Sequence, residues 1–266
     1  MLRHPLTLLT REVRPLSLRP GATWLLMQDL HAPFADLDHG ALARMAAHKV
    51  VGREFDEHAD ALRLISPNVE RLVVAARVHG LGVVYSCLGH DGGDEPSAFQ
   101  QATGWCWRLD GPDGTFPAAW RPVSGESVFS KPGWGALANP AFARFLEERE
   151  VENLLVVGAM LDFGIRQTCY ELMDRGLDSL VVSDAVAPLT LAAQGHVAGN
   201  LAHGLVKLRS TAEVLDLFAV MRREGTVLVL SRRSSVQSPR RTSASACRTS
   251  TLGVISGWRP APNCSG

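Results

Sequence analysis

The sequence predicts an α/β protein with three layers, in which helices cover both faces of a mostly parallel central sheet. One observation is the alternation of short apolar runs, bounded by turn residues, with longer segments of helical periodicity. Another is that the short runs are nearly continuous in Val and Leu, as in NLLVVG at 153–158. Strands buried on both faces require such runs, and a strand followed by a helix, repeated, gives a parallel sheet.

The elements follow one another in a regular order. Strands are predicted at TWLLMQ (23–28), LGVVYSCL (81–88), SVFS (127–130), NLLVVG (153–158) and DSLVVSDA (178–185). Helices are predicted at PNVERLVVAARVHG (67–80), NPAFARFLEERE (139–150), Asp162 to Arg175, LTLAAQGHVAGNLAHG (189–204) and STAEVLDLFAVMRR (210–223). In the last helix we expect Ser210 as the N-cap and Glu213 to complete a capping box. The long Gly-, Pro- and Trp-rich connection over 89–130 indicates a functional segment or small elements of its own.

The composition is that of one folded domain. A chain of 266 residues, 46% hydrophobic and 20% charged, suffices to bury one sizeable core. No run of about 18 apolar residues occurs, and charges and prolines interrupt the N-terminal segment, so we expect neither a membrane span nor a signal peptide. A cytoplasmic protein is the resulting expectation. The five cysteines are odd in number and widely spaced, which argues against a disulfide framework or a structural metal.

The formal net charge of zero hides an asymmetry between body and tail. Residues 231–266 hold six arginines and no acidic residue, which leaves 21 basic and 27 acidic residues, a net charge of −6, before them. This Ser-, Arg- and Pro-rich tail has little to bury and is predicted to be disordered. Basic charge without interleaved aromatic residues is weak support for nucleic-acid binding, so no such partner is expected. We expect an N-terminal extension over 1–20, one domain over 21–225 and the tail over 226–266.

Several polar residues directly follow apolar runs, where a functional site is expected. In an open α/β sheet, ligands bind outside the carboxyl ends of the strands. Asp29, His90, Lys131 and Asp162 all occupy such positions. The tryptophans at 105, 107, 120 and 134 either line a pocket for a flat or apolar substrate or fill the core.

Three segments resemble the isochorismatase-like hydrolases, also called the cysteine hydrolase superfamily. They are WLLMQDLHAPF (24–34), SKPGWGAL (130–137) and VVGAMLDFGIRQTCYELMDRGLDSLVVSDA (156–185). The resemblance covers roughly residues 20 to 222. It implies an isochorismatase-like, Rossmann-like fold, hydrolysis of a small-molecule substrate, no cofactor and assembly as a homo-oligomer.

The first two family motifs are matched in part. The family ends its first strand in D-x-Q-x-x-F, and here Asp29 and Phe34 match while His31 replaces the Gln. A lysine precedes the family's K-x-x-x-S-A-F pattern. Lys131 matches it, but Gly135 and Leu137 stand where Ser and Phe are usual.

The third motif, in which a cysteine opens a helix in G-x-x-T-D-x-C, allows two registers. Fixing Gly176 and Asp184 on the end of the motif places Gly164 at the nucleophile position without a gap. The other register makes Cys169 the nucleophile. Helix N-termini lower a thiol pKa, but Cys169 lies about a turn and a half further in, where a cysteine behaves as a small buried hydrophobe.

Glycine at the nucleophile position is a feature shared with one branch of the family. The enzymes that hydrolyse isochorismate, and a relative acting on aminodeoxyisochorismate, resemble this chain in carrying it. They cleave a vinyl ether by protonating its carbon and adding water to the oxocarbenium ion, so they need no covalent intermediate. The resemblance implies that Asp29 is the general acid, that Lys131 positions the substrate or its developing charge, and that Gly164 leaves room for the ring and water.

Further site residues follow from the same resemblance. The expected substrate-binding residues are Phe34, Trp134, Met160, Leu161 and Arg166. The lysine favours ionised aspartate, whereas a general acid must hold its proton, and the sequence leaves open whether burial outweighs the lysine.

Asp162 is expected to cap the helix and to support the backbone at Met160–Leu161, where the family commonly has a cis peptide. Amidases of the family that act on nicotinamide bind a metal through D-x-H and a further His. Here Asp29 is committed to the acid position and the Asp36–His39 segment is turn-like, so no metal is expected.

Two alternatives stay open from the sequence. One is a Cys-dependent amidase that uses Cys169. The other is a catalytically silent family member that binds or scaffolds, which the departures at His31, Gly135, Leu137 and Gly164 favour.

Overall fold

The central sheet has six parallel strands in the order β4-β3-β2-β5-β6-β7. The structure, a computed structural model, describes residues 16–36, 38–40, 42–43, 53–93, 95–203, 206–224 and 228–230. The six strands are β2 (Thr23–Gln28), β3 (Gly82–Leu88), β4 (Ser127–Lys131), β5 (Asn153–Ala159), β6 (Asp178–Ala187) and β7 (Lys207–Arg209). A separate antiparallel pair joins β1 (Leu16–Leu18) to β8 (Leu228–Leu230).

Helices cover both faces of this sheet. They are α1 (Ala32–Ala35), α2 (Arg53–Val78), α3 (Ala98–Thr103), α4 (Pro140–Glu148), α5 (Arg166–Asp174), α6 (Leu191–His203) and α7 (Thr211–Glu224). Short 3₁₀ turns lie at Pro112–Gly114, Ala118–Trp120 and Ala136–Ala138, and a π turn lies at Leu161–Ile165. The predicted three-layer α/β class is therefore confirmed.

Alternation along the strands divides the core into two apolar clusters. On β2, Leu25 and Met27 pack into the cluster under α2 and α7, whereas Leu26 packs into the cluster under α4, α5 and α6. On β5, Val157 and Val156 divide in the same way. Both faces of these central strands are dry, which is why their sequences are continuous apolar runs instead of alternating ones.

Strand bounds agree closely with the sequence prediction, and helix bounds less so. The helix predicted from residue 67 begins at Arg53, with Pro67 inside it. Proline removes one hydrogen bond of the helix, but Leu62 and Ile65 before it are buried in the core and hold the preceding turns in place. The predicted capping box at α7 is present, since Glu213 N donates to Ser210 Oγ (3.3 Å) and Ser210 N donates to Glu213 Oε2 (2.8 Å).

The ends of the chain fall mostly outside the described residues. Of the predicted extension, residues 1–15 lie outside them, and of the predicted tail so do residues 231–266. Strand β1 lies within the former and β8 within the latter, and these two pair with each other. The boundaries of the three segments stay predictions. None of the described helices is long and apolar enough to cross a membrane.

A buried polar network ties the long connection before β4 to the rest of the fold. Arg77 on α2 donates two hydrogen bonds to Glu126 (2.8 and 2.9 Å) and one to the hydroxyl of Tyr85 (3.1 Å). The Tyr85 hydroxyl donates a hydrogen bond to the carbonyl of Trp120 (2.9 Å). Burial raises the pKa of Tyr85, so this group acts as a neutral donor at any ordinary pH.

We expect Tyr85→Phe to lower the free energy of unfolding by about 1–2 kcal/mol, because it leaves buried partners without a hydrogen bond. Tyr170→Phe is the matched control. The Tyr170 hydroxyl makes no hydrogen bond to the described residues, so its loss should change stability by less than about 0.5 kcal/mol. Denaturant titration of both variants measures the difference, and equal losses would contradict a structural role for the network.

Candidate active site

The candidate site lies where the order of the strands reverses. Strands β2 and β5 are neighbours, and the chain proceeds outward from them in opposite directions across the sheet. At such a switch point the connections leave on opposite faces and open a crevice at the carboxyl ends of the strands. Asp29 follows β2, Lys131 ends β4, and Gly164 lies in the π turn after β5.

Asp29 is held by both of its carboxylate oxygens. Leu88 N donates to Oδ1 (2.7 Å), and the ammonium of Lys131 lies 2.7 Å from Oδ2. The backbone of Asp29 has φ of +49°, a left-handed conformation that side chains adopt at a cost, and its N–H donates to Ser86 O (2.9 Å). The carboxyl group is thereby bound to residues at the ends of β3 and β4.

Lys131 is fully buried, and three acceptors surround its ammonium group. Besides Asp29, it donates to the carbonyls of Trp134 (2.9 Å) and Gly133 (3.3 Å). An ammonium has three N–H groups, so these partners use all of them. The sequence expectation was that Lys131 positions the substrate or its developing charge. In this geometry it acts through its charge and through Asp29.

The balance between burial and the lysine at Asp29 has a definite direction. Burial raises the pKa of Asp29 above its ordinary 3.8, and this outweighs the opposing effects of the Lys131 charge and of the hydrogen bonds that it receives. The carboxyl group therefore keeps its proton to a higher pH than an exposed aspartate does. This is the property that a general acid needs.

The turn after β5 carries Gly164 into the same space. A Cβ atom on Gly164 would lie 3.2 Å from Asp29 Oδ2 and 3.2 Å from Trp134 O, the carbonyl that Lys131 also binds. It would lie 2.7 Å from the amide nitrogen of Gln28. The sequence led us to expect that Gly164 leaves room for a substrate ring and water, but its side-chain position is crowded by the amide of Gln28, a residue that was not predicted from the sequence. The signal was a polar residue that ends an otherwise apolar strand.

Two expectations about this turn are corrected. The cis peptide joins Ala159 and Met160, one residue earlier than expected at Met160–Leu161. Asp162 does not cap the helix, because it lies in a π turn that precedes α5. Its carboxylate instead accepts a hydrogen bond from Leu189 N (3.0 Å) and so ties the turn to the segment after β6.

The thiol of Cys169 lies apart from this site. It is fully buried in the apolar cluster under α5, with Ser179 on β6 as its polar neighbour. Burial raises its pKa to about 12, so it is neutral at physiological pH. A different cysteine, Cys87, lies near Asp29 and Lys131, and the charges of both affect the pKa of its thiol. Burial has the largest effect and raises this pKa well above the ordinary 9. Neither thiol has the lowered pKa of a nucleophile.

Aromatic rings form a continuous wall beside the site. Phe34 contacts Trp107 (5.0 Å between ring centres) and Trp105 (5.8 Å), and Trp105 contacts Trp134 (5.3 Å). Trp134 stacks on Phe163 at 4.9 Å, directly before Gly164. Trp120 is different, because its indole is buried and donates to Leu30 O (2.9 Å) beneath the site. Three of the four tryptophans that the sequence singled out therefore belong to this wall.

The other predicted substrate-binding residues are placed unevenly. Met160 and Leu161 are buried in the two different core clusters, on opposite sides of the sheet. Arg166 is half-buried at the start of α5, and its guanidinium makes no hydrogen bond or ion pair with the described residues. Phe34 is buried as well, so of this group only Trp134 and Arg166 are partly exposed, and the role of these residues in binding stays a prediction.

The loop after Lys131 is held by helix α5. Thr168 Oγ1 accepts from Ala136 N (3.0 Å), and the Glu171 carboxylate accepts from Leu137 N (3.0 Å). A Cβ on Gly135 would collide with that carboxylate. Gly135, in place of the family's usual serine, therefore makes room for Glu171.

Asp29 and the Nε2 atom of His31, which belong to the D-x-H pattern, are hydrogen-bonded to protein partners. His31 Nε2 is hydrogen-bonded to Leu88 O (3.1 Å), and burial lowers the pKa of His31 to about 3. Asp29 is paired with Lys131, and Nε2 of His39 contacts the carboxylate of Asp113 (2.7 Å). The described part of the chain holds no group of three or more His, Cys, Asp and Glu side chains suited to a metal ion, so these residues do not fit one.

Solved structures share this fold. A cysteine hydrolase from Pseudomonas syringae pv. phaseolicola 1448A is 18% identical, and the match covers 79% of this chain and 98% of that one, with a TM-score of 0.65. An isochorismatase family protein from Desulfovibrio vulgaris subsp. vulgaris str. Hildenborough is 20% identical over 74% of this chain and 98% of that one (TM-score 0.58). A nicotinamidase/pyrazinamidase from Bacillus subtilis is 16% identical over 71% and 99% (TM-score 0.58).

Sequence similarity to a family model defines the family. The model of the isochorismatase domain matches residues 23–213, which include the strand end at Asp29, the strand end at Lys131 and the turn at Gly164. The match spans most of the chain and all six strands of the parallel sheet. This chain belongs to the isochorismatase family.

Proposed function

We propose that this isochorismatase-family hydrolase cleaves isochorismate or a similar vinyl ether by general acid catalysis, without a covalent intermediate. The observation that carries the proposal is a fully buried carboxyl, that of Asp29, with a raised pKa, beside a glycine at the family's nucleophile position. Among the described residues no activated thiol accompanies it. The site therefore supplies a proton and not a nucleophilic sulfur.

Asp29 delivers the proton from Oδ2, the oxygen that faces the side-chain position of residue 164. The proton adds to the terminal carbon of the vinyl ether, and the ether oxygen stabilises the resulting cation. Asp29 is left ionised, and the Lys131 ammonium and Leu88 N–H then stabilise the carboxylate. Burial keeps the acid protonated before the step, and the fixed donors favour its ionisation during the step.

Binding of the substrate rests on the aromatic wall and one cation. A flat, partly apolar ring fits against Trp134 and its stacked neighbour Phe163. Arg166 offers a guanidinium that has no described partner and can bind a carboxylate with two hydrogen bonds. An anionic cyclic vinyl ether combines these two chemical features.

Amidase chemistry of the nicotinamidase kind has less support in this site. It requires a thiolate near the lysine, and the thiol of Cys169 is buried against Ser179 with its pKa raised to about 12. Cys87 is nearer to Lys131, but its thiol is also fully buried and its pKa is raised. If no substrate is turned over, the protein is a catalytically silent family member.

We expect Asp29→Asn to lower kcat for isochorismate by about 10²- to 10⁴-fold, the usual contribution of a positioned acid. In the native enzyme kcat should fall as the pH rises through the raised pKa of Asp29, because the acid is then ionised. Lys131→Met should move this decline to higher pH, since the lysine lowers that pKa. Pyruvate release measured across the pH range tests both shifts.

Asp184→Asn is the control for the pH profile. Its carboxylate is exposed and accepts hydrogen bonds from Thr211 at the start of α7, which an amide oxygen can also accept. Its kcat and pH profile should match those of the native enzyme. If the pH profile of kcat is unchanged in the Asp29→Asn variant, Asp29 is not the general acid. A folded protein that turns over neither isochorismate nor a panel of vinyl ethers is the silent member.

We expect iodoacetamide at pH 7 to leave Cys169 unmodified and the activity unchanged, because this thiol is buried and neutral. Exposed Cys106 is the internal control and should be alkylated in the same sample. Mass spectrometry of the two peptides measures the difference, and Cys169→Ala should retain full kcat. Rapid alkylation of Cys169 together with loss of activity would replace the proposed mechanism by covalent catalysis.

A further inference from the structure

Gln28 is a buried amide at the end of an apolar strand, beside the buried side chains of Ser86 and Asp29. It is the last residue of β2, directly before Asp29, and its side chain is 0% exposed. The amide makes a weak hydrogen bond to the carboxyl group of Asp29, which lowers the pKa of that group. This contact does not reach the geometry of a full hydrogen bond, and neither Nε2 nor Oε1 has another partner among the described residues.

The amide borders the space that the missing side chain at residue 164 would fill. Its Nε2 lies 2.7 Å from the Cβ position of Gly164, and Asp29 Oδ2 and Trp134 O each lie 3.2 Å from the same point. A nitrogen donor and two oxygen acceptors therefore converge there. The family's nucleophile, placed on this residue, would have to displace the amide, because real Cβ atoms do not approach a neighbour so closely.

An amide in this position asks for a particular kind of partner. A buried donor and a buried acceptor are costly when unpaired, and native proteins retain them where a water or ligand pairs them. Methionine or leucine would fill the same volume without that cost. The complement to an amide is a group that both accepts and donates, which a water molecule does.

We propose that Gln28 is a positioning residue that holds the attacking water beside the side-chain position of Gly164. This inference rests on the proposed function, since vinyl ether cleavage consumes one water. After Asp29 protonates the terminal carbon, the water oxygen bonds to the cationic carbon and gives up a proton to the Asp29 carboxylate. The bond between this carbon and the ether oxygen then breaks. The proton of the new hydroxyl group is transferred to the ether oxygen, which leaves as an alcohol, and the hydroxyl oxygen becomes the carbonyl oxygen of the ketone.

The chain thereby replaces a covalent nucleophile by a bound one. In the cysteine members of the family, the group that attacks is part of the residue at this position. Here the residue has no side chain, and the neighbouring strand supplies an amide in its place. A water held by Gln28 and next to Asp29 Oδ2 lies where the acid, once ionised, can accept its proton.

The test uses Gln28→Met, which keeps the length of the side chain and removes both polar atoms. With isochorismate as substrate, kcat should fall by about 10- to 100-fold while KM changes by less than about twofold, because the water and not the substrate loses its partner. The comparison is made at the acidic plateau of the pH profile. There Asp29 is protonated in both proteins, so a change in its pKa does not contribute.

Gly164→Ala is the second variant, since its methyl group would displace the amide, and it should lower kcat in the same way. In the double variant the losses should not add, because both changes act on one water. Gln101→Met makes the same substitution on the exposed side of α3, where the amide binds Pro96 O (2.8 Å), and should leave kcat unchanged. If Gln28→Met does not fold, the effect of Gly164→Ala on kcat and KM decides the question.

The outcomes separate this inference from the proposed function. Turnover that depends on Asp29 but is unchanged by Gln28→Met and Gly164→Ala overturns the role of Gln28 alone. Losses that appear in KM instead of kcat also overturn it, because they assign the amide to the substrate. An enzyme that does not cleave isochorismate or other vinyl ethers loses both proposals.

Discussion

The buried contact between the carboxyl group of Asp29 and the ammonium group of Lys131 is the interaction on which the site depends. Two such ionisable groups without exposure to water are stable only when each has further partners. Here Leu88 N donates a hydrogen bond to the carboxyl group of Asp29. The carbonyls of Gly133 and Trp134 accept hydrogen bonds from the ammonium of Lys131. The pair therefore fixes the ends of three adjacent strands and the path of the loop that carries Trp134. The contacts that stabilise the Asp29–Lys131 pair are therefore the same contacts that hold these strand ends in place.

The sheet explains why such a pair is possible here. Parallel strands bring their carboxyl ends to one edge, where the main chain offers unpaired N–H and C=O groups to side chains. Asp29 and Lys131 use these groups, and so does His31 through Leu88 O. The environment is dry enough to raise the pKa of Asp29 and to keep His31 neutral, although a lysine is in contact with the carboxyl.

Sequence patterns predicted most of the sheet and part of the site, for identifiable reasons. TWLLMQ was placed at its observed bounds because both faces of β2 are buried and leave an unbroken apolar run. The first half of α2 was missed, since Pro67 is a common helix start and here lies in the interior. Asp29 and Lys131 were found from their motifs, and the structure places Asp29 next to Gly164 and Lys131 next to Asp29.

Other parts of the site were beyond the reach of the pattern. Nothing in the order of residues tells that the amide of Gln28 reaches the space beside Gly164, because the two lie more than a hundred positions apart and meet only through the pairing of β2 with β5. Likewise, Glu171 and Gly135 meet only through the packing of α5 against the loop after Lys131. Asp162 looked like a helix cap because the π turn before α5 has no signature that distinguishes it from the first turn of an α-helix.

Two glycines of this site lie against the ends of distant polar side chains. Gly164 lies against the amide of Gln28, and Gly135 lies against the carboxylate of Glu171. A side chain gained at either glycine would press on the flexible end of its partner and move it aside. In evolution, the effect of a substitution at either glycine therefore depends on the residue at its partner position.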